Sequence, residues 1–251
     1  MKFPRGFSLI EMAFVLVIVT LLLGGLLVPF ATQVEQKRIA ETQKGMEEIK
    51  EALIGYALSH RATNVPNQPY LPCPDTNGDG AEEARIGGDC PAEEGELPWV
   101  TLGTTPTDAW GNRFHYRVTA SFANNRTGFG LPSGGDITIC NIAPTPGFPP
   151  TCSTANRVAT TIPAVILSYG KNGYGALNAN TPAVPPALSL VKNDSSLASN
   201  DERTNINQTE TFFVSRTITA AGTPATEFDD LVTWLSPNVL FNRMVAAGRL
   251  P

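Results

Sequence analysis

The chain is poor in charge, histidine and cysteine, and each scarcity closes a class of function. Only 16% of its 251 residues are Asp, Glu, Lys or Arg, and the formal net charge is −5, so no basic footprint offers itself to nucleic acid. The two histidines, His60 and His115, stand in no Ser or Cys nucleophile motif, which leaves a hydrolase triad without its parts. The four cysteines contain no C-x-x-C pair, so zinc is poorly served. The Gly-rich stretch 128–135 lacks the lysine of a phosphate-binding loop. Nothing here composes an active site, and the chain reads as a non-enzyme.

The most informative absence is local. From residue 12 to residue 31 there is no charged side chain, and Val, Leu and Ile dominate; such a run is long enough to cross a hydrocarbon core of roughly 30 Å as a helix. Lys2 and Arg5 precede it and Glu35 is the first acid after it, so the basic end is expected to stay cytoplasmic and the rest to be exported. A secretory signal carries its small-residue cleavage site after the apolar run, whereas the comparable punctuation here, Gly6, lies before it. Glu11 sits at the start of the run, and a lone carboxylate in a bilayer costs on the order of 2.5–3.5 kcal/mol and needs a partner. Cleavage after Gly6 would create one, a new α-amine at Phe7 about one helical turn away.

Gly6-Phe7-Ser8-Leu9-Ile10-Glu11 resembles the type III signal of type IV pilins and type II secretion pseudopilins. The resemblance implies cleavage between Gly6 and Phe7 by a prepilin peptidase, N-methylation of Phe7, and assembly of the helices into a filament core. It also implies that Glu11 neutralises the N-terminal amine of a neighbouring subunit. The expected division is a leader at 1–6, a transmembrane helix at 7–30, an amphipathic continuation of that helix at 31–60, and an exported β-rich head at 61–251. Loss of Lys2 and Arg5 with the leader leaves 16 basic against 23 acidic side chains, a net charge of −7.

The continuation is proline-free to Ser59, with apolar Val34, Ile39, Met46, Ile49, Leu53, Ile54 and Ala57 at helical spacings and charges on the other faces. About fifty helical residues would span roughly 80 Å, a length suited to a filament subunit. Beyond residue 64 the composition turns to Pro, Gly, Asn and Thr. Strand-like runs at 113–122, 136–142, 164–169 and 211–219 predict an antiparallel sheet, with surface loops at 144–154 and 178–205. Ser236-Pro237 predicts the start of a short terminal helix over 239–247, stopped by Gly248. The fold class is therefore α+β, a long N-terminal helix packed on a C-terminal antiparallel sheet, as in pilins. Cys73, Cys90, Cys140 and Cys152 all lie in the exported part, where disulfides form; sequential pairing closes the shortest loops of the three connectivities.

Asp108-Ala109-Trp110-Gly111-Asn112-Arg113-Phe114-His115-Tyr116 resembles the D-x-W-G-N stretch of major pseudopilins, in which a turn feeds a strand. Leu167 to Gly173 and Asp229-Asp230-Leu231-Val232-Thr233-Trp234-Leu235 share that flavour. Asp75-Thr76-Asn77-Gly78-Asp79-Gly80 has the D-x-N-x-D-G spacing of a calcium loop, with Glu83 at the ninth position, which makes Asp75, Asn77, Asp79 and Glu83 candidate ligands of Ca2+. Ile86 stands where an EF-hand needs its bidentate Glu, and an Asx-rich turn tied by a Cys73–Cys90 bridge is the competing reading. Pseudopilins as a family hold calcium after the W-G-N strand rather than before it, so their ligands do not transfer to this loop.

The functional expectation is a structural subunit of a type IV pilus or type II secretion pseudopilus. Its partners are other copies of itself or related pilins, the prepilin peptidase, an inner-membrane assembly platform and the membrane, with no nucleic acid. Before assembly it would lie in the inner membrane with its N terminus cytoplasmic and its head periplasmic. The alternative is a minor tip pilin whose head is an adhesive or cargo-binding module.

Overall fold

A computed structural model describes residues 8–144, 151–178, 194–207, 211–219 and 226–251, without the side chains of residues 22–30. Gly6 and Phe7 lie outside the described residues, as do 145–150 and 179–193 of the two expected loops. The first element, α1 (Leu9–Ser59), is a single helix of 51 residues. The chain divides into two compact units, Met1–Glu41 and Thr42–Pro251, so the division falls within α1.

In the second unit, α1 buries Thr42, Met46, Ile49, Leu53, Ile54, Tyr56 and Ala57. These follow the three- and four-residue steps of one helix face. The outer face carries the local pairs Lys44–Glu48 at 3.6 Å and Lys50–Glu47 at 2.9 Å. The expected stop at Ser59 is observed.

The head contains β1 (Glu94–Glu96), α2 (Trp99–Leu102), β2 (His115–Val118), α3 (Ala120–Ala123), β3 (Ile137–Cys140), β4 (Arg157–Ile162), β5 (Ala164–Ser168), α4 (Asn200–Ile206), β6 (Phe212–Val214), β7 (Leu231–Trp234) and α5 (Pro237–Ala246). Among the described residues the strands form a four-stranded antiparallel sheet, β1-β2-β5-β7, and a three-stranded sheet, β4-β3-β6, in which β3 and β6 run parallel. Ile137, Ile139, Ile162 and Phe213 of the smaller sheet pack with Val165 of the larger one, and Val232 and Trp234 close over them. Cys73–Cys90 and Cys140–Cys152 are the observed disulfides, with Cα atoms 5.4 and 6.3 Å apart, as sequential pairing predicts.

The expected strands are present in shortened form, and α5 begins at Pro237 as its cap signal implies. Part of the expected loop 178–205 is instead helical. Ser199 and Glu202 form a reciprocal capping box that starts α4, and a local cap of this kind suffices to nucleate a short helix once packing supplies the rest.

The turn into β2 is organised by Asp108, which is buried. Its Oδ1 accepts from the N–H groups of Trp110 and Asn112, both at 2.9 Å, and its Oδ2 accepts from the Ser168 hydroxyl at 2.7 Å. The Asn112 amide donates to the Gly170 carbonyl at 2.9 Å, so the motif joins β2 to the end of β5. Asp108→Ala strips three donors of their acceptor at once. It should cost about 2–4 kcal/mol, read as a lower denaturant midpoint at unchanged slope, while Asp108→Asn should cost less.

Candidate functional site

The start of α1 is built around Ser8 and Glu11. The Ser8 N–H donates to Glu11 Oε2 at 2.8 Å, and the Glu11 N–H donates to Ser8 Oγ at 3.3 Å. This is a capping box, with Ser8 as the cap and Glu11 three residues on, and it satisfies two of the N–H groups that any helix start leaves orphaned. The S-x-x-E spacing is legible in the sequence. Within and beyond it Leu9, Ile10, Met12, Phe14, Leu16, Val17, Ile18 and Leu21 are all exposed, on every side of the helix. A helix apolar all round belongs in a bilayer or among other helices. Among the described residues no helix is long and apolar enough to cross a membrane, and the side chains of 22–30, which complete the apolar run, are outside that description.

Residues 1–27 match the model of the prokaryotic N-terminal methylation motif. The chain carries the type IV pilin and pseudopilin signal. Proteins with this motif are structural rather than enzymatic. No curated protein and no solved structure matches the chain. The pilin-type signal and the α+β head, a helix followed by a predominantly antiparallel sheet, thus stand together in one chain.

The structure places the four loop candidates on backbone donors. Asp75 is fully buried; its Oδ1 accepts from the Asn77 and Gly78 N–H groups at 3.0 and 2.6 Å and its Oδ2 from the Gly80 N–H at 2.8 Å. Burial raises the Asp75 pKa above its ordinary value, although those three N–H groups oppose the shift. Asn77 accepts from the Asp79 N–H, Asp79 from the Ala81 N–H, and Glu83 from the Thr76 N–H and hydroxyl. Gly78 and Gly80 hold φ of 81° and 83°, conformations that a side chain disfavours. The loop is a succession of Asx turns, and the Arg113 guanidinium donates to its Gly78 carbonyl at 2.8 Å.

A different set of carboxylates converges. Glu202, Asp229 and Asp230 each bring one oxygen to within 4.8 Å of the others, and all three are buried. α4 supplies Glu202, and the two aspartates directly precede β7. Around them the Asn172 N–H donates to Asp229 Oδ2 and its side-chain amide to Glu202 Oε1, both at 2.8 Å, while the Asn205 amide donates to Asp230 Oδ2 at 2.7 Å. Asp229 Oδ1 is buried with no hydrogen-bond partner. Burial, opposed by the Asn172 N–H and reinforced by Glu202 and Glu227, lifts the Asp229 pKa to about 7. Burial, opposed by the Asn205 amide and reinforced by Asp229 and Glu202, holds Asp230 well above its ordinary value.

Three buried carboxylates, one with an orphaned oxygen, fit a hard divalent cation that takes oxygen ligands. Sequence reasoning missed this centre. The Asp229-Asp230 pair was visible, but Glu202 lay in a stretch read as loop and no motif spacing links the two segments.

Proposed function

We propose that the chain is a structural subunit of a type IV pilus or type II secretion pseudopilus, polymerised through α1. The observation that carries this reading is the methylation motif at the head of a 51-residue helix whose start exposes apolar side chains on every side. In this reading prepilin peptidase cuts between Gly6 and Phe7, Phe7 is N-methylated, and the helix rests in the inner membrane with its head periplasmic until it joins a filament. The head is the displayed part, and Glu202, Asp229 and Asp230 are its calcium ligands, in preference to the Asp75 loop.

Mass spectrometry of the mature protein tests the processing. The expected N terminus is a methylated Phe7, and Gly6→Ala should leave an uncleaved precursor that retains Lys2 and Arg5. An unmodified N terminus at Met1 in filament-bearing cells would overturn the reading.

The second reading, a minor tip subunit with a binding head, draws on a groove of about 420 Å³ lined by Thr138, Arg157, Thr160, Thr161 and Phe212. Copy number along the filament separates the two, many copies per filament for the first and one or a few for the second.

A further inference from the structure

The edge strand β1 is made of Glu94, Gly95 and Glu96, residues with little intrinsic preference for a sheet. Its register sets Glu96 opposite His115 and Glu94 opposite Arg117, so four ionisable side chains share one face of the β1–β2 pair. That face is not open to solvent: His115 is fully buried, Glu96 and Arg117 are buried, and the side chains of Glu94 and Glu96 are 5% and 4% exposed. His115 Nε2 lies 2.7 Å from Glu94 Oε1, and Nδ1 lies 3.9 Å from Glu96 Oε1. The Arg117 guanidinium reaches Glu94 at 3.3 Å and, at the rim, Glu93 at 3.0 Å and Asp136 at 3.1 Å.

Nε2 is thus hydrogen-bonded to Glu94, while Nδ1 faces Glu96 at ion-pair rather than hydrogen-bond distance, and Nδ1 and Glu96 Oε2 are both buried without a hydrogen-bond partner. A neutral imidazole has one N–H and one lone pair, so either tautomer would aim a lone pair at a buried anion; only the imidazolium presents a donor to each. Charge balance agrees. With a neutral ring, two buried glutamates would share one guanidinium already engaged by Glu93 and Asp136, and an uncompensated buried charge is costly.

We propose that His115 is a fully buried imidazolium at neutral pH, and that the Glu94–His115–Glu96–Arg117 quartet it completes is a pH-released latch holding β1 on the sheet. The groups facing the ring are Glu94 and Glu96 from β1, Arg117 from its own strand, and the Tyr169 ring beyond β5, with centroids 5.9 Å apart. Leu167 of β5 pairs with His115 on the other side and brings no charge. Burial pushes the His115 pKa down, but the Glu94 hydrogen bond and the negative charge of Glu94 and Glu96 outweigh it, and the net displacement is upward. A histidine raised in the fold contributes stability that is complete below its unfolded pKa of about 6.5 and is lost as pH climbs through the folded value. The latch is thus shut at neutral pH and opens on the alkaline side. Its release also frees the Asp75 loop, because Glu96 exchanges both backbone hydrogen bonds with Asp75, at 2.7 and 2.9 Å.

The test uses the full chain in detergent micelles with 15N-labelled histidine, His60→Asn serving to assign the two rings. At pH 7 the His115 ring should show both nitrogens protonated, with a titration midpoint on the alkaline side of neutrality. Glu94→Gln should lower that midpoint by about one unit or more. Amide hydrogen exchange at residues 94–96, corrected for its intrinsic pH dependence, should quicken at least tenfold across the wild-type midpoint. A single neutral tautomer at pH 7, a midpoint indifferent to Glu94→Gln, or exchange at β1 that ignores the titration would each overturn the latch. The wild-type titration needs no variant to fold.

Discussion

Glu11→Ala should yield a chain that inserts, is processed and yet is nearly absent from filaments. Within the helix Glu11 contributes half of a capping box, worth about 1 kcal/mol at an exposed helix start, so its loss frays the first turn without dissolving a helix of 51 residues. Its larger role is charge. Glu11 is the only charged side chain between Gly6 and Glu35, and a carboxylate left alone among apolar helices costs about 2.5–3.5 kcal/mol. If a neighbour's N-terminal amine is the partner, that energy is recovered only on correct docking, and its loss corresponds to roughly 70- to 400-fold in the docking equilibrium. The measurement is the ratio of subunit in sheared filaments to subunit in the membrane. Glu11→Gln separates the two roles, because an amide can still accept from the Ser8 N–H while carrying no charge. It should fail to assemble as Ala does; assembly at the wild-type level by either variant would remove Glu11 from the mechanism.

The parts of the molecule that could be read in advance rest on signals local in sequence. The stop of α1 at Ser59, the Ser236-Pro237 start of α5, the Trp110 turn and the pairing of cysteines that lie close along the chain all belong to this kind. The parts that escaped depend on long-range contacts. β1, Glu-Gly-Glu, carries no strand signal of its own and becomes a strand because it pairs with β2 on one side and bridges Asp75 on the other. β2 alternates polar with apolar residues, the usual sign of a strand with one wet face, but all four of its residues are buried, since ion pairs cover His115 and Arg117. β4 carries Val158 and two exposed threonines at a sheet edge and gives almost no alternation to detect. The calcium spacing at Asp75 was a genuine sequence pattern whose oxygens the fold gives to backbone N–H groups, while the convergent carboxylates come from segments with no shared motif.

The second large effect belongs to that carboxylate centre. Calcium at a hundred times its dissociation constant should stabilise the full chain in detergent by about 2.7 kcal/mol, a rise of roughly 5–10 °C in melting temperature for a head of this size. The physical source is the repulsion already stored there. Burial and mutual charge lift Asp229 to about 7 and hold Asp230 well above its ordinary value, so without an ion stability should fall as pH climbs from the ordinary carboxylate range of about 4 through 7, where Asp229 is forced to ionise in the fold. An ion that accepts the carboxylates in their charged form removes that penalty, so the slope of melting temperature against pH between 5 and 7 should flatten in millimolar calcium and persist in chelator. The His115 latch also loses stability toward alkaline pH, but calcium should leave its portion untouched, which keeps the two effects distinguishable. Asp230→Asn reverses the sign diagnostically. It retains an oxygen that can accept from Asn205, deletes one buried like charge, and should equal or exceed wild type in chelator while losing most of the calcium response. A wild-type chain whose melting temperature ignores millimolar calcium at pH 7, or an Asp230→Asn chain that responds as fully as wild type, would leave these three carboxylates as a buried acidic cluster with no role in cation binding.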